Sequence, residues 1–197
     1  MKKITKQVLC AVLALIMLLA AGCAQKSEVK SFALQFEGVA ERGGVVIEGI
    51  RPGMSKAVAE AAGAAFGPEP IGKSAGETGN TSETYPAKNT IMQGKVSFMA
   101  PEFQFMNGKL VDITMTTKDA AGAQAVVEQL KKELGEPEIQ NTQINSSDST
   151  EVQFWEIDQG EYMLRIAFLT RMSSGKAVGA NLQIGYIYYD MFPDYGK

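Results

Sequence analysis

The stretch Thr117-Lys-Asp-Ala-Ala-Gly-Ala-Gln-Ala-Val-Val-Glu-Gln-Leu-Lys-Lys-Glu-Leu-Gly-Glu-Pro137 decides the fold class. Ala123, Val126, Val127, Leu130 and Leu134 recur at spacings of three and four, the signature of a helix with one apolar stripe. Glu128 stands one turn before Lys131 and Lys132. Leu134-Gly135-Glu136-Pro137 ends the segment, because glycine takes a left-handed backbone and proline cannot continue a helix. An echo lies upstream. Pro52-Gly53-Met54-Ser55 opens an alanine-rich segment with Met54, Val58, Ala61, Ala62, Ala65 and Phe66 at helical spacing, Ser55 as N-cap and Phe66-Gly67-Pro68 as the stop.

Around these two helices the period changes to two. Phe32, Leu34 and Phe36 alternate with smaller or polar neighbours before Gly43-Gly44 and the run Val45 to Ile50, which predicts a hairpin. Val96, Phe98, Phe103 and Phe105 lead to Asn107-Gly108, a turn in which both residues tolerate positive φ, and Lys109 to Thr116 returns with Val111, Ile113 and Met115 opposite Asp112 and Thr114. Glu151 to Ile157, Tyr162 to Leu169, and a last strand carrying Leu182, Ile184, Tyr186 and Tyr188 close the chain. The expected order is ββ-α-ββ-α-βββ, an α+β domain with an antiparallel sheet and both helices on one face. The repeated helix-then-strands pattern gives weak signs of an internal duplication. Residues 68–94, rich in Gly, Pro, Ser and Thr, are expected as one long loop, functional or mobile.

Composition excludes several chemistries. The 197 residues contain no histidine and two cysteines, so no Ser-His-Asp or Cys-His catalytic group and no imidazole-bound zinc exists. The net charge of −3 offers no basic surface for phosphates, and neither a nucleic-acid nor a nucleotide partner is expected.

The N-terminus carries an address. Lys2, Lys3 and Lys6 precede the apolar run Val8 to Leu19, which is shorter than the roughly 20 residues of a membrane span and reads as a cleaved secretory leader. Leu19-Ala20-Ala21-Gly22-Cys23 resembles the lipobox of bacterial lipoproteins, which implies that the Cys23 thiol is acylated and becomes the first mature residue. Leucine stands one position earlier than that pattern has it. Residues 1–22 are then a lipoprotein signal peptide, 23–31 a lipidated polar tether, and 32–197 one α+β domain. Each buried CH2 contributes about 0.8 kcal/mol, so two or three acyl chains on Cys23 hold a protein on a membrane. Loss of the three leader lysines makes the mature chain more acidic, and no basic patch is left to share the anchoring.

Other motifs carry less chemistry than their letters suggest. Gly67 to Ser74 spells the phosphate-loop pattern G-x-x-x-x-G-K-S, yet it follows a helix and its two prolines remove backbone donors. Ser27-Glu28-Val29-Lys30 spells S-x-x-K but lies in the tether, with no later K-T-G. Asn80-Thr81-Ser82 and Asn145-Ser146-Ser147 are sequons without meaning behind a bacterial lipobox. Glu156, Asp158 and Glu161, and likewise Asp190 and Asp194, sit at turns without calcium-loop spacing, where a general acid would lack burial. No enzyme activity, metal or cofactor is expected, a carboxylate-based hydrolase being the remaining enzymatic reading.

Aromatic residues suggest a surface. Neighbours on a strand point to opposite faces, so Phe154 and Trp155 cannot both lie under the helices, nor can Tyr188 and Tyr189. Trp155, Ile157, Ile187 and Tyr189 are therefore the candidate binding patch, exposed Trp and Tyr being favoured at recognition surfaces.

Ile50-Arg51-Pro52-Gly53-Met54-Ser55, followed by a helix ending in Phe66-Gly67, is similar to the opening of small envelope lipoprotein domains of the SmpA/OmlA type and of β-lactamase-inhibitor-like domains. The similarity spans about 20 residues and stops at the long loop. It implies a noncatalytic domain that binds other proteins. The expected function is a membrane-anchored lipoprotein outside the cytoplasm, at the cell surface or in the periplasm, whose domain binds an envelope protein or cell-wall component. The alternative is a small-molecule-binding or sensory domain.

Overall fold

The computed structural model describes residues 29–75, 79–144 and 147–193. The leader, Cys23, most of the tether and Asp194 lie outside the described residues. Within them run β1 (Phe32–Ala33), α1 (Lys56–Ala61), β2 (Gly72–Ala75), β3 (Thr81–Pro86), β4 (Ile91–Gln93), β5 (Val96–Met106) and β6 (Lys109–Thr117). They are followed by α2 (Ala120–Leu134), β7 (Glu138–Gln143), β8 (Asp148–Asp158), β9 (Tyr162–Ser173) and β10 (Lys176–Tyr188).

Helix α2 forms as its periodicity dictates. The Asp119 carboxylate accepts from Gly122 N at 2.8 Å, satisfying one of the first-turn donors that have no helical partner. Ala123, Val126, Val127 and Leu130 are buried on one stripe, and Gly135 closes the helix at φ 85°. Gly122 is tightly enclosed: a Cβ there would press on the capping Asp119 carboxylate and stand 2.7 Å from Val96 Cγ2, so a side chain would have to shift.

Helix α1 is shorter than its periodicity suggests. It ends at Ala61, and Gly63 at φ 110° turns the chain away before Phe66. Ala59 is the buried residue of the helix, whereas Val58, assigned to the apolar stripe, is 52% exposed. Phe66 reaches the core from outside the helix, its ring centroid 5.1 Å from that of Phe103.

Seven strands pair antiparallel along the path β2-β3-β5-β6-β10-β9-β8, and β7 completes it. The last strands of the two halves, β6 and β10, meet in the middle. The sheet is nonetheless mixed, because β1 runs parallel to β4. Strand β5 serves two neighbours along the edge opposite β6. Its first residues pair with β4 and its last with β3, and between them the register is irregular at Met99/Glu102, beside Ala100 at φ 49°. This is the behaviour of a bulge, which bends a strand by inserting an unpaired residue.

Two expectations of the sequence are corrected here. The N-terminal hairpin reduces to the two-residue β1, isolated bridges Leu34↔Ile47 and Ile47↔Ile50, and single backbone bonds such as Gln35 N to Val46 O at 2.8 Å. Four closely spaced glycines with positive φ, Gly38, Gly43, Gly44 and Gly49, break the ladder. The expected loop 68–94 holds β2, β3 and β4, so ββ-α-ββ-α-βββ becomes β-α-βββββ-α-ββββ. Its polar composition hid strands at the rim. β2 is exposed along its whole length and β3 buries Ser82 and Tyr85.

Register sets the two faces. One row, Tyr85, Phe103, Ile113, Ile184, Ile166 and Trp155, crosses six strands. Every member belongs to the hydrophobic core that also takes Ala59 of α1 and the stripe of α2. Burying each large side chain contributes roughly 1.5–3 kcal/mol. The adjacent row, Thr84, Gln104, Asp112, Gly185, Arg165 and Glu156, faces the other way and is polar.

Candidate functional site

The polar row becomes a site because of Gly185. Glycine at the middle of β10 leaves a gap between Asp112 on β6 and Arg165 on β9, its register partners. A Cβ at Gly185 would lie 3.7 Å from Asp112 Oδ2, so the gap opens directly onto the carboxylate. The result is a cavity of about 200 Å³ with Asp112 in its wall and Met106, Ala167, Ile187 and Phe192 among its apolar lining.

Asp112 is held by neutral donors. Thr114 Oγ1 donates to Oδ1 at 3.0 Å and Gln183 Nε2 to Oδ2 at 2.8 Å. A carboxylate has about four acceptor positions, so two stay open. Burial outweighs both hydrogen bonds and pushes the Asp112 carboxyl up to about 6. Among the described residues no cation lies within salt-bridge distance of it.

Arg165 is the nearby cation, and it is engaged elsewhere. Its guanidinium carbon lies 4.5 Å from the centroid of the Phe154 ring, and its Nε is 3.5 Å from Glu156 Oε1. This stacking buries Phe154 to 5% exposure although the ring points away from the helices.

The predicted patch divides between the faces. Trp155 is 5% exposed, in the row beneath the helices, and its indole Nε1 donates to Gly135 O at the end of α2, 2.8 Å away. Ile157 packs against the same core. Trp155 is thus corrected from binding surface to core, with the half-buried Ile157 packed beside the core on the same face, because the strand parity that sends Phe154 outward sends both inward. Ile187 and Tyr189 lie on the opposite face, Ile187 lining the cavity and Tyr189 donating from its hydroxyl to Asp158 Oδ1 at 3.1 Å.

The remaining acidic candidates do not converge. Asp158 caps its turn through Gly160 N at 2.8 Å, Asp190 lies 3.6 Å from Lys109 Nζ, and no group of three acidic or thiol side chains able to hold a metal occurs among the described residues. Lys73 of the phosphate-loop look-alike sits in β2 and pairs with Glu83 at 3.0 Å.

A wider groove of about 630 Å³ runs between the N-terminal turns and the end of β10, past Arg42, Arg51, Glu161, Tyr162 and Tyr188. Tyr162 bridges it, its hydroxyl donating to Gly43 O at 2.6 Å. Burial raises the Tyr188 hydroxyl to about 12, so it stays a proton donor at any physiological pH.

Asp112 escaped sequence reasoning because alternation had assigned it, with Thr114, to a polar strand face. A signal was present: one carboxylate between Val111 and Ile113, and a glycine, Gly185, between Ile184 and Tyr186 in the last strand. Comparison with known proteins adds no assignment, for no family, curated protein or solved structure matches the chain.

Proposed function

We propose that the protein is a membrane-anchored lipoprotein outside the cytoplasm, held by lipid on Cys23, whose noncatalytic α+β domain binds an envelope protein or cell-wall component through the sheet face opposite the helices. The observation that carries this reading is the asymmetry of the sheet. One face is sealed by the helix stripes, whereas the other presents a polar row, a cavity and the half-buried Ile187 and Tyr189. Trp and Tyr anchors beside adaptable polar groups suit recognition; here Tyr189 alone of the predicted pair remains available.

The halves are further read as a tandem, α1 with β2, β3, β5 and β6, and α2 with β7, β8, β9 and β10. The strand order is the same from either rim to the centre, β2-β3-β5-β6 on one side and β7-β8-β9-β10 on the other. This supports the similarity to β-lactamase-inhibitor-like and SmpA/OmlA-type domains, and with it a binding rather than a catalytic role.

The anchor is tested by Cys23→Ala, which is expected to release the protein from membranes and abolish acyl mass at the mature N-terminus. Retention of the variant, with no acyl mass on the wild type, refutes it. The sheet face is tested by crosslinking capture from the native envelope: Tyr189→Ala with Ile187→Ser should lose the captured species, and unchanged capture contradicts the reading. The cavity at Gly185 favours a second reading, a small-molecule-binding domain. A thermal shift with a metabolite, together with no envelope capture, would move the assignment there.

A further inference from the structure

We propose that the cavity at Gly185 is a receptor for an alkylammonium or guanidinium group on an apolar stem. The Asp112 carboxylate is its counter-ion, and Met106, Ile187 and Phe192 lie against the stem. The proposal deepens the sheet-face reading and rests on it, since it names the chemical group that the face recognises.

A buried carboxylate is costly unless a cation or several donors compensate it. Asp112 has two neutral donors, two open acceptor positions and no ionic partner among the described residues. It also stands beside Gly185, where the neighbouring strand carries no side chain, and its carboxylate borders the cavity. The chain has set a partly buried negative charge beside an open cavity. A cation entering that space gains the charge-assisted hydrogen bond that the fold leaves unmade.

Sign and type of ligand follow from the surroundings. An anion would meet Asp112 directly, and Arg165, the cation in the same wall, is stacked on Phe154 with its Nε toward Glu156. A metal ion would need further anionic ligands, which do not cluster among the described residues. An organic cation needs one carboxylate and apolar side chains against its stem, and the cavity wall holds both. Amines and guanidinium groups occur on free metabolites and on Lys or Arg side chains of a partner, and the chemistry at Asp112 is shared.

The test is calorimetric titration of the full-length protein with n-butylguanidinium and with its neutral isostere n-butylurea, in parallel with an acetyl-Gly-Arg-Gly-amide peptide and its citrulline counterpart. The cation of each pair should bind at least tenfold more tightly. Asp112→Asn should erase that preference, and Gly185→Ala, whose added methyl makes only ordinary contacts, should weaken cation binding severalfold. Tighter binding of the arginine peptide than of butylguanidinium identifies a macromolecular source, and equal binding a free metabolite; both support the receptor. Equal affinity for the charged and neutral members, or a preference that survives Asp112→Asn in a folded variant, overturns it. A failed titration with retained envelope capture removes the cavity proposal alone. Capture that is unchanged in the Tyr189→Ala, Ile187→Ser variant, with retained titration, removes the sheet-face reading alone.

Discussion

Replacing Asp112 with asparagine should stabilise the protein, and the gain should depend on pH. Burial moves this carboxyl from an ordinary 3.8 up to about 6 in the folded chain. One pKa unit corresponds to about 1.4 kcal/mol, so keeping the group ionised costs the folded state about 3 kcal/mol at neutral pH. The folded form binds more protons than the unfolded form between these two values, so the contribution to stability falls as pH rises through that window. Below the unfolded value both forms are protonated and no cost remains; above the folded value the cost is complete. The neighbours that set this balance are Gln183 and Thr114, which donate to the carboxylate and offset part of the cost of burial. An amide removes the desolvated charge but must turn the Gln183 amide to avoid facing two donors, which returns part of the gain. A net stabilisation of about 1–3 kcal/mol is expected at about pH 8, shrinking toward zero near pH 4. Urea unfolding of the two proteins across that range measures it directly. A variant no more stable than the wild type at pH 8, or a difference that does not change with pH, refutes the account of Asp112 as an uncompensated buried charge.

Three other substitutions probe the frame that positions the site. Asn89→Ala should destabilise by about 2–4 kcal/mol in urea unfolding, because this 2% exposed side chain joins Ala65 N, Lys30 O and Gly63 O across three segments. Gly122→Ala should lower stability by about 1–3 kcal/mol despite alanine's better helix propensity, since its methyl would meet Val96 Cγ2 at 2.7 Å; a stabilised variant would show that the contact relaxes freely. Trp155→Phe should cost about 1–3 kcal/mol, through a lost bond to Gly135 O and a residual cavity, while leaving envelope capture intact; lost capture in a folded variant would return Trp155 to the binding surface.

Which parts of the fold were legible in the sequence follows from how local their causes are. Helix α2 was readable in its stripe and its glycine stop, which act within one segment, whereas its start lies at the Asp119 cap and not at Thr117, which ends β6. The long strands β8, β9 and β10 were readable for the same reason, with alternation extending over many residues. Helix α1 was misjudged because alanines mark either face, and only the left-handed Gly63 decides where the chain leaves the helical path. The strands within 68–94 escaped because pairing with the already formed β5, and not their own apolar content, makes them strands. Strand parity correctly separated Phe154 from Trp155, but the sequence does not say which parity faces the helices. That choice depends on register with Ile166 and Ala167, which is a tertiary fact. The site itself is a coincidence of register between Asp112 and Gly185, residues far apart in sequence, and no local pattern announces it.

The measurement that tests the central claim most directly is site-specific photocrosslinking of the full-length protein in its own cells. A photoreactive residue at position 187, on the open sheet face, is compared with one at position 58, on the exposed side of α1. The account predicts a discrete envelope adduct from position 187 and none from position 58. Adducts of the same kind from both positions, or from position 58 alone, would contradict it.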